Sequence, residues 1–198
     1  VQGQRAYGEE GVERLASVQA RKLTTIRKSH AATLETARAK MITSGDIYAP
    51  NGTVVGNVYT DFGVTRKQVA MDLTNAATDI LGKQREIVDH IQDNIMSGET
   101  PSEIIALCSP SYFDAYISQA GVKEAYKFYT STQEPLRNGN WSQFRHGDIT
   151  LIRYNGKFKD ASGVSQALIP DGDAYYLPLD TSDSFKTYFS PANKFDLA

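Results

Sequence analysis

The sequence predicts an α+β fold, on three observations. Gly8 to Ile42 contains no proline and no glycine after Gly11, and its apolar residues recur at helical spacing. A β-prone stretch punctuated by glycine and proline follows it. The last third of the chain alternates short apolar runs with turn pairs such as Asn155-Gly156 and Asp171-Gly172.

The predicted long helix organises the rest. Val12, Leu15, Gln19, Leu23, Ile26, His30, Leu34, Ala37 and Met41 follow an eleven-residue period, which keeps one face in line on a nearly straight helix. At 1.5 Å per residue that helix is about 50 Å long, more than a domain of this size needs to close its core. The apolar stripe is expected to be a packed seam, with about seven side chains contributing about 1.5–3 kcal/mol each. The opposite side carries Arg14, Arg21, Lys22, Arg27, Lys28, Arg38 and Lys40. It reads either as a solvated basic face or as a lever against which neighbouring subunits or nucleic acid pack. Arg14, Arg21, Arg27 and Arg38 are its candidate contact residues.

After the helix, Ile47-Tyr48, Thr53 to Val55 and Val58-Tyr59 read as a hairpin or small meander turning at Pro50-Asn51-Gly52. Arg66 to Leu73 reads as an extended connector. A second helix is expected from Thr74 or Thr78 to Ser97, with Ile80, Ile87, Ile91 and Ile95 facing the core and Gly98 as its stop. Ile104 to Cys108 has the character of a buried strand. Ser109-Pro110 should cap and start a third helix, broken near Gly121 and resumed through Tyr129. Ser131 to Trp141 reads as a loop. Asp148 to Tyr154 and Lys157 to Lys159 flank Asn155-Gly156, a hairpin signal because both central residues of such a turn take positive φ. Ala167 to Ile169, a turn at Pro170-Asp171-Gly172, and Asp173 to Leu177 follow. Pro178 ends that last strand or places it at an edge. Phe185 to Phe189 is expected to be one further strand. The boundary between two regions, 1–73 and 74–198, falls after the connector.

Composition narrows the function. The 198 residues are 40% hydrophobic and 22% charged, with a net charge of −2. The pI is near 5.9. That excludes bulk electrostatic retention of DNA, and no apolar run reaches the length of a membrane span. The charge is uneven: Arg5 with Gly8 to Ile42 contains eight basic and four acidic residues, leaving thirteen basic and nineteen acidic elsewhere. Cys108 is the sole cysteine, so no internal disulfide forms, and a reducing cytoplasm fits. Val1 stands in place of a start methionine, from which an N-terminal portion is expected to precede it.

Catalytic signatures do not emerge from this sequence. There is no Gly-x-Ser-x-Gly elbow, phosphate loop or dinucleotide fingerprint, and His30, His90 and His146 lie on three different predicted elements. Asp171, Asp173, Asp180 and Asp183 are the best metal candidates, but Tyr175, Tyr176 and Ser182 occupy positions a calcium loop needs for ligands and glycine. Turn chemistry explains those aspartates. Arg145, Arg153, Tyr154, Lys157 and Phe158 interleave charge with aromatics, a weak nucleic-acid pattern that reads better as a plain sheet face. The chain is therefore not expected to be an enzyme, and no cofactor, metal or specific nucleic-acid site is assigned.

Longer strings say more. Ile169-Pro170-Asp171-Gly172-Asp173-Ala174-Tyr175, then Pro178-Leu179, then Phe185-Lys186-Thr187-Tyr188-Phe189 resemble the signature of the major capsid protein E family of tailed phages, to which the phage lambda shell protein belongs. Val58-Tyr59-Thr60-Asp61-Phe62-Gly63 is similar to the strand that follows the long helix in that family. Asp61, Phe62, Gly63, Pro170, Asp171, Gly172, Tyr175, Lys186 and Tyr188 carry the resemblance, which covers nearly the whole chain. It implies the capsid fold of the Hong Kong 97 phage type: 1–73 as a peripheral region with a spine helix and hairpin, and 74–198 as an axial α/β domain. It also implies an icosahedral head built from pentamers and hexamers of identical subunits, with scaffold, head protease, decoration and portal proteins as further partners. Assembly in the host bacterial cytoplasm and residence in the virion follow, with no membrane role. Family members are longer, with an arm and an extended β loop before this region and further strands after it. A cellular nanocompartment shell, or a small enzyme or binding module with an unrecognised site, is the alternative.

Overall fold

The computed structural model describes residues 15–49, 52–95, 99–129, 143–159, 164–181 and 184–185. The chain forms two compact units, Val1–Arg66 with Gly156–Leu168, and Lys67–Asn155 with Ile169–Ala198. The first unit is therefore discontinuous in sequence, because residues 156–168 belong to it.

In the first unit, α1 spans Leu15–Ser44, two residues past the predicted end, and β1 (Asp46–Tyr48) pairs antiparallel with β2 (Val54–Asn57). A bond from the Gly52 N–H to the Ala49 carbonyl closes the hairpin. Val58-Tyr59, expected as strand, begins instead the short helix α2, Val58–Phe62. Its β-branched and aromatic residues favour a strand, yet Asn57 overrides them by accepting from the N–H groups of Tyr59 and Thr60. Strands β6 (Lys157–Lys159) and β7 (Ser165–Ala167) make a separate antiparallel pair.

The second unit is a four-stranded mixed sheet with helices on one face. Strand order is β4-β5-β3-β8, where β3 is Glu103–Cys108, β4 Gln143–His146, β5 Ile149–Arg153 and β8 Ala174–Leu179. The central strand β3 runs parallel to β5 and antiparallel to β8. Alternation turns Ile104, Ala106 and Cys108 into the core, beside Ile149 and Leu151 of β5. Helix α3 (Ile80–Asn94) contributes Ile80 and Ile87, and α4 (Pro110–Ser118) contributes Tyr112, Phe113 and Tyr116. Helix α3 starts at Ile80, later than expected, because the Asp79 carboxylate accepts the Gly82 N–H and fixes the cap. Burial pushes the Cys108 thiol up to about 12, which keeps it neutral at physiological pH.

One expectation fails here because a local turn signal yields to tertiary strand pairing. The Asn155-Gly156 hairpin does not form, because β3 and β4 already occupy both edges of β5 while β6 pairs with β7. The two-residue turn lies instead at Gly147-Asp148, where Gly147 has φ +62°. The helix break falls at Gln119, ahead of Gly121. There the glutamine backbone is extended, and its Oε1 accepts the Val122 N–H that starts α5, Ala120–Tyr129. The proline reading holds, since β8 is an edge strand with Pro178 opposite Ile104. Ser109 also caps α4 as expected, accepting the Tyr112 N–H, with Pro110 at the first helical position. The predicted stop Gly98, loop Ser131 to Trp141 and strand residues Lys186 to Phe189 lie outside the described residues.

One polar trio crosses this core. Gln84 Nε2 donates to the Tyr116 hydroxyl at 2.6 Å, and that hydroxyl lies 2.8 Å from His146 Nδ1. Tyr116 is wholly buried, and burial holds the His146 pKa below its ordinary 6.5. His146 is half-buried at the end of β4, with its ring nitrogen within hydrogen-bond reach of the Tyr116 hydroxyl. The unfolded chain takes up this proton near 6.5 and the folded chain only at lower pH, so stability is full above 6.5 and declines as pH falls through that value toward the folded pKa. Urea unfolding over a pH series should show this decline, and His146→Gln should flatten it. Tyr116→Phe should cost about 1–3 kcal/mol by leaving Gln84 and His146 without their partner.

Candidate assembly surface

The surface is built outward from the corner where α1 ends. Gly45, at φ +77°, closes the helix by donating to the carbonyls of Lys40 and Met41. A side chain there would meet the Tyr59 ring at 2.5 Å, so this position admits only glycine. Asn57 then joins three elements through one amide: Nδ2 donates to the Ser44 carbonyl at 2.9 Å and to Asp46 Oδ1 at 2.8 Å, while Oδ1 caps α2. The Ser44 hydroxyl and the Asn57 amide hold the Asp46 carboxyl below the usual carboxylate range. Arg66 reaches back to the Thr43 carbonyl and lies over the Tyr59 ring.

The first signature string sits in this corner. Asp61 accepts the Asn57 N–H at 3.1 Å, and Gly63 ends α2 in the left-handed conformation with its N–H on the Tyr59 carbonyl. Phe62 is 75% exposed. The string is a helix with its cap, and not the strand expected from its resemblance, so Asp61 and Gly63 fix the fold while Phe62 projects outward.

The second string has an equally local basis in the other unit. The Asp173 N–H bonds the Pro170 carbonyl across a turn with Gly172 at φ +82°, which is the left-handed third position of a type II turn. The Gly172 N–H donates to both Ser109 Oγ and Ser111 Oγ, and Asp171 accepts the Ser111 hydroxyl. The turn is thereby fastened to the start of α4. Tyr175 lies in β8 opposite Leu107, half-buried. Lys186, Tyr188 and Arg14 lie outside the described residues. Asp180, one of the metal candidates, accepts the Ser102 hydroxyl. Among the described residues no three His, Cys, Asp or Glu side chains are grouped to hold a metal ion.

The stripe departs furthest from expectation. Leu23 is 55% exposed, Ile26 53%, Leu34 44% and Met41 52%, so among the described residues the seam is not packed. Every residue from Gln19 to Glu35 is exposed. Arg27 and Arg38, eleven residues apart, flank the stripe on one shoulder at roughly 70° from its centre, while Arg21 projects from the opposite side. The first unit also exposes Ile47, Val54, Val55, Phe62 and Val64, whereas the buried apolar cluster among the described residues belongs to the second unit. Soluble monomers rarely leave so much large apolar surface on one body. Pattern alone could not show this, because a stripe has the same period whether its cover comes from its own chain or from another.

The sheet unit thus has a filled core, while the α1 unit exposes large apolar groups. The model of the phage major capsid protein E family matches residues 1–198, and the chain belongs to that family. It is 38% identical over 210 aligned positions to a major capsid protein of Pseudomonas phage KPP10, covering 99% of this chain and 60% of that protein. It is 27% identical over 172 positions to a major capsid protein of Salmonella phage Felix O1, covering 78% of this chain and 46% of that protein. The chain thus spans about half to three-fifths of the length of these relatives. No helix among the described residues is long and apolar enough to cross a membrane.

The corner itself is testable. Asn57→Asp retains the capping oxygen but sets a second carboxylate against Asp46 and loses both Nδ2 donations. It should cost about 1–3 kcal/mol near neutral pH and recover in part as acid protonates the pair, measured by denaturant unfolding.

Proposed function

We propose that this chain is a shell-forming region of a phage major capsid protein, with the fold of the Hong Kong 97 phage type. The observation that supports it most is the exposed face of α1: four large apolar side chains on one line, about half uncovered, in a unit whose buried apolar side chains among the described residues are Val18 and Leu168. The unit of α1, the hairpin and residues 156–168 serves as the peripheral region, with α1 as its spine. The sheet unit serves as the axial domain.

The function is geometric. Copies meet through heterologous contacts that close into pentamers and hexamers, and these tile an icosahedral head around DNA. Covering the remaining exposure of Leu23, Ile26, Leu34 and Met41 contributes on the order of 3–6 kcal/mol gross per contact, before the cost of association. Such contacts are individually weak, and multiplicity makes the shell stable. Scaffold, head protease, decoration and portal proteins are the further partners of a head of this kind, assembled in the host cytoplasm and retained in the virion.

Leu23→Asp separates folding from assembly. Because Leu23 is half-exposed, the substitution should leave circular dichroism and unfolding stability within about 0.5 kcal/mol of wild type. The same substitution in the full chain should abolish particles seen by electron microscopy. A variant that assembles normally would remove the stripe from the contact surface.

A further inference from the structure

Charge, in addition to apolar area, decides what covers α1. Helix α1 carries six Lys and Arg against Glu35 alone, a net of +5, while the rest of the chain holds fifteen basic and twenty-two acidic residues, a net of −7. Two copies joined α1 to α1 would bring two strongly positive faces together. Such like-charge juxtaposition is unfavourable in any contact that excludes water. An acidic surface on a different element suits the stripe better.

Helix α3 offers one. Ile80, Gln84 and Ile87 are buried on its inner side, and Glu86, Asp89 and Asp93 share its outer arc. Glu86 is paired with Lys67 and Lys83, whereas among the described residues Asp89 and Asp93 have no ion-pair partner. Leu81, 43% exposed, lies on the same helix and supplies apolar surface. On α1, Arg27 and Arg38 stand about 16 Å apart along one shoulder of the stripe, and Asp89 and Asp93 stand about 6 Å apart on α3, so the two long arginine side chains must converge to reach the acidic pair. Arg27 and Arg38 likewise have no ion-pair partner among the described residues.

We propose that the apolar stripe of α1, with Arg27 and Arg38 at its shoulder, docks on the Asp89–Asp93 face of α3 in a second copy of this chain. This rests on the shell reading and adds its polarity: the contact joins two different surfaces, so it repeats around a ring and does not stop at a twofold pair.

Charge exchange in the full chain tests it. The wild-type chain should form particles, and Arg27→Glu with Arg38→Glu should lower particle yield by at least about tenfold, as should Asp89→Lys with Asp93→Lys. Both pairs combined should restore yield to within about threefold of wild type. Arg27→Gln with Arg38→Gln, which adds no negative charge, supplies the reading if the reversed pair does not fold. Wild-type yield from either arginine pair, or a combined variant no better than its parents, overturns the docking and leaves the shell reading in place. Absence of particles from the wild-type chain overturns both.

Discussion

The first unit depends on one amide. Asn57 ends β2, caps α2 and bonds the last turn of α1 through the Ser44 carbonyl, so a single side chain fixes the hairpin and short helix against the spine. Its carbonyl oxygen accepts two backbone donors while its nitrogen donates to a carbonyl and a carboxylate. Aspartate supplies only the first half of that arrangement, and serine is too short for the second. Close contact of Gly45 with Tyr59 leaves the chain no room to leave α1 along another path. A long helix with little cover of its own thus acquires a rigid end from hydrogen bonds, where a domain of ordinary build would use a core.

The two units divide the physical tasks. In the sheet unit, a central strand bonded on both edges and helices bearing aromatic residues provide conventional stability, and polar groups within it are matched: Gln84, Tyr116 and His146 to one another, and the Tyr112 hydroxyl to that of Tyr176. Burial drives the hydroxyl pKa values of Tyr116 and Tyr176 upward and that of Tyr112 to about 12, so these groups remain neutral throughout the accessible pH range. The α1 unit has the reverse character, with large aliphatic groups in solvent and arginines beside them. The buried apolar cluster lies in one unit and the exposed large aliphatic groups of α1 in the other.

That division explains which parts of the fold the sequence revealed. Local codes were legible where the chemistry is completed within a few residues: the Ser109-Pro110 cap, the Pro170-Asp171-Gly172 turn, the edge placement of Pro178, and the helical period of α1. Reading failed where a distant partner decides, or where one polar side chain overrides the propensity of its neighbours. Asn155-Gly156 has hairpin chemistry, but the strands on either side are claimed by other partners. Val58-Tyr59 has strand propensity, but Asn57 and Asp61 bond the backbone as a helix. Gln119 is an unusual cap, visible only once its amide is seen on Val122 and the Ala76 carbonyl. The stripe on α1 was found correctly and its burial was not, since period reports which residues share a face and carries no information about which molecule covers it.

Charge surrounds the exposed stripe of α1. The exposed aliphatic groups of α1 lie between arginines and lysines, whose mutual repulsion across two spines opposes the symmetric pairing that an uncharged stripe would favour. The hairpin is protected differently: Val54 and Val55 are exposed on a strand of only four residues, too short to template a long intermolecular sheet. Apolar attraction therefore makes contact possible, while helix charge and strand length restrict which contacts form. Under the proposed shell reading, suppressing the wrong pair matters as much as strengthening the right one, which gives the positive charge beside the stripe a physical role even in a chain whose net charge is negative.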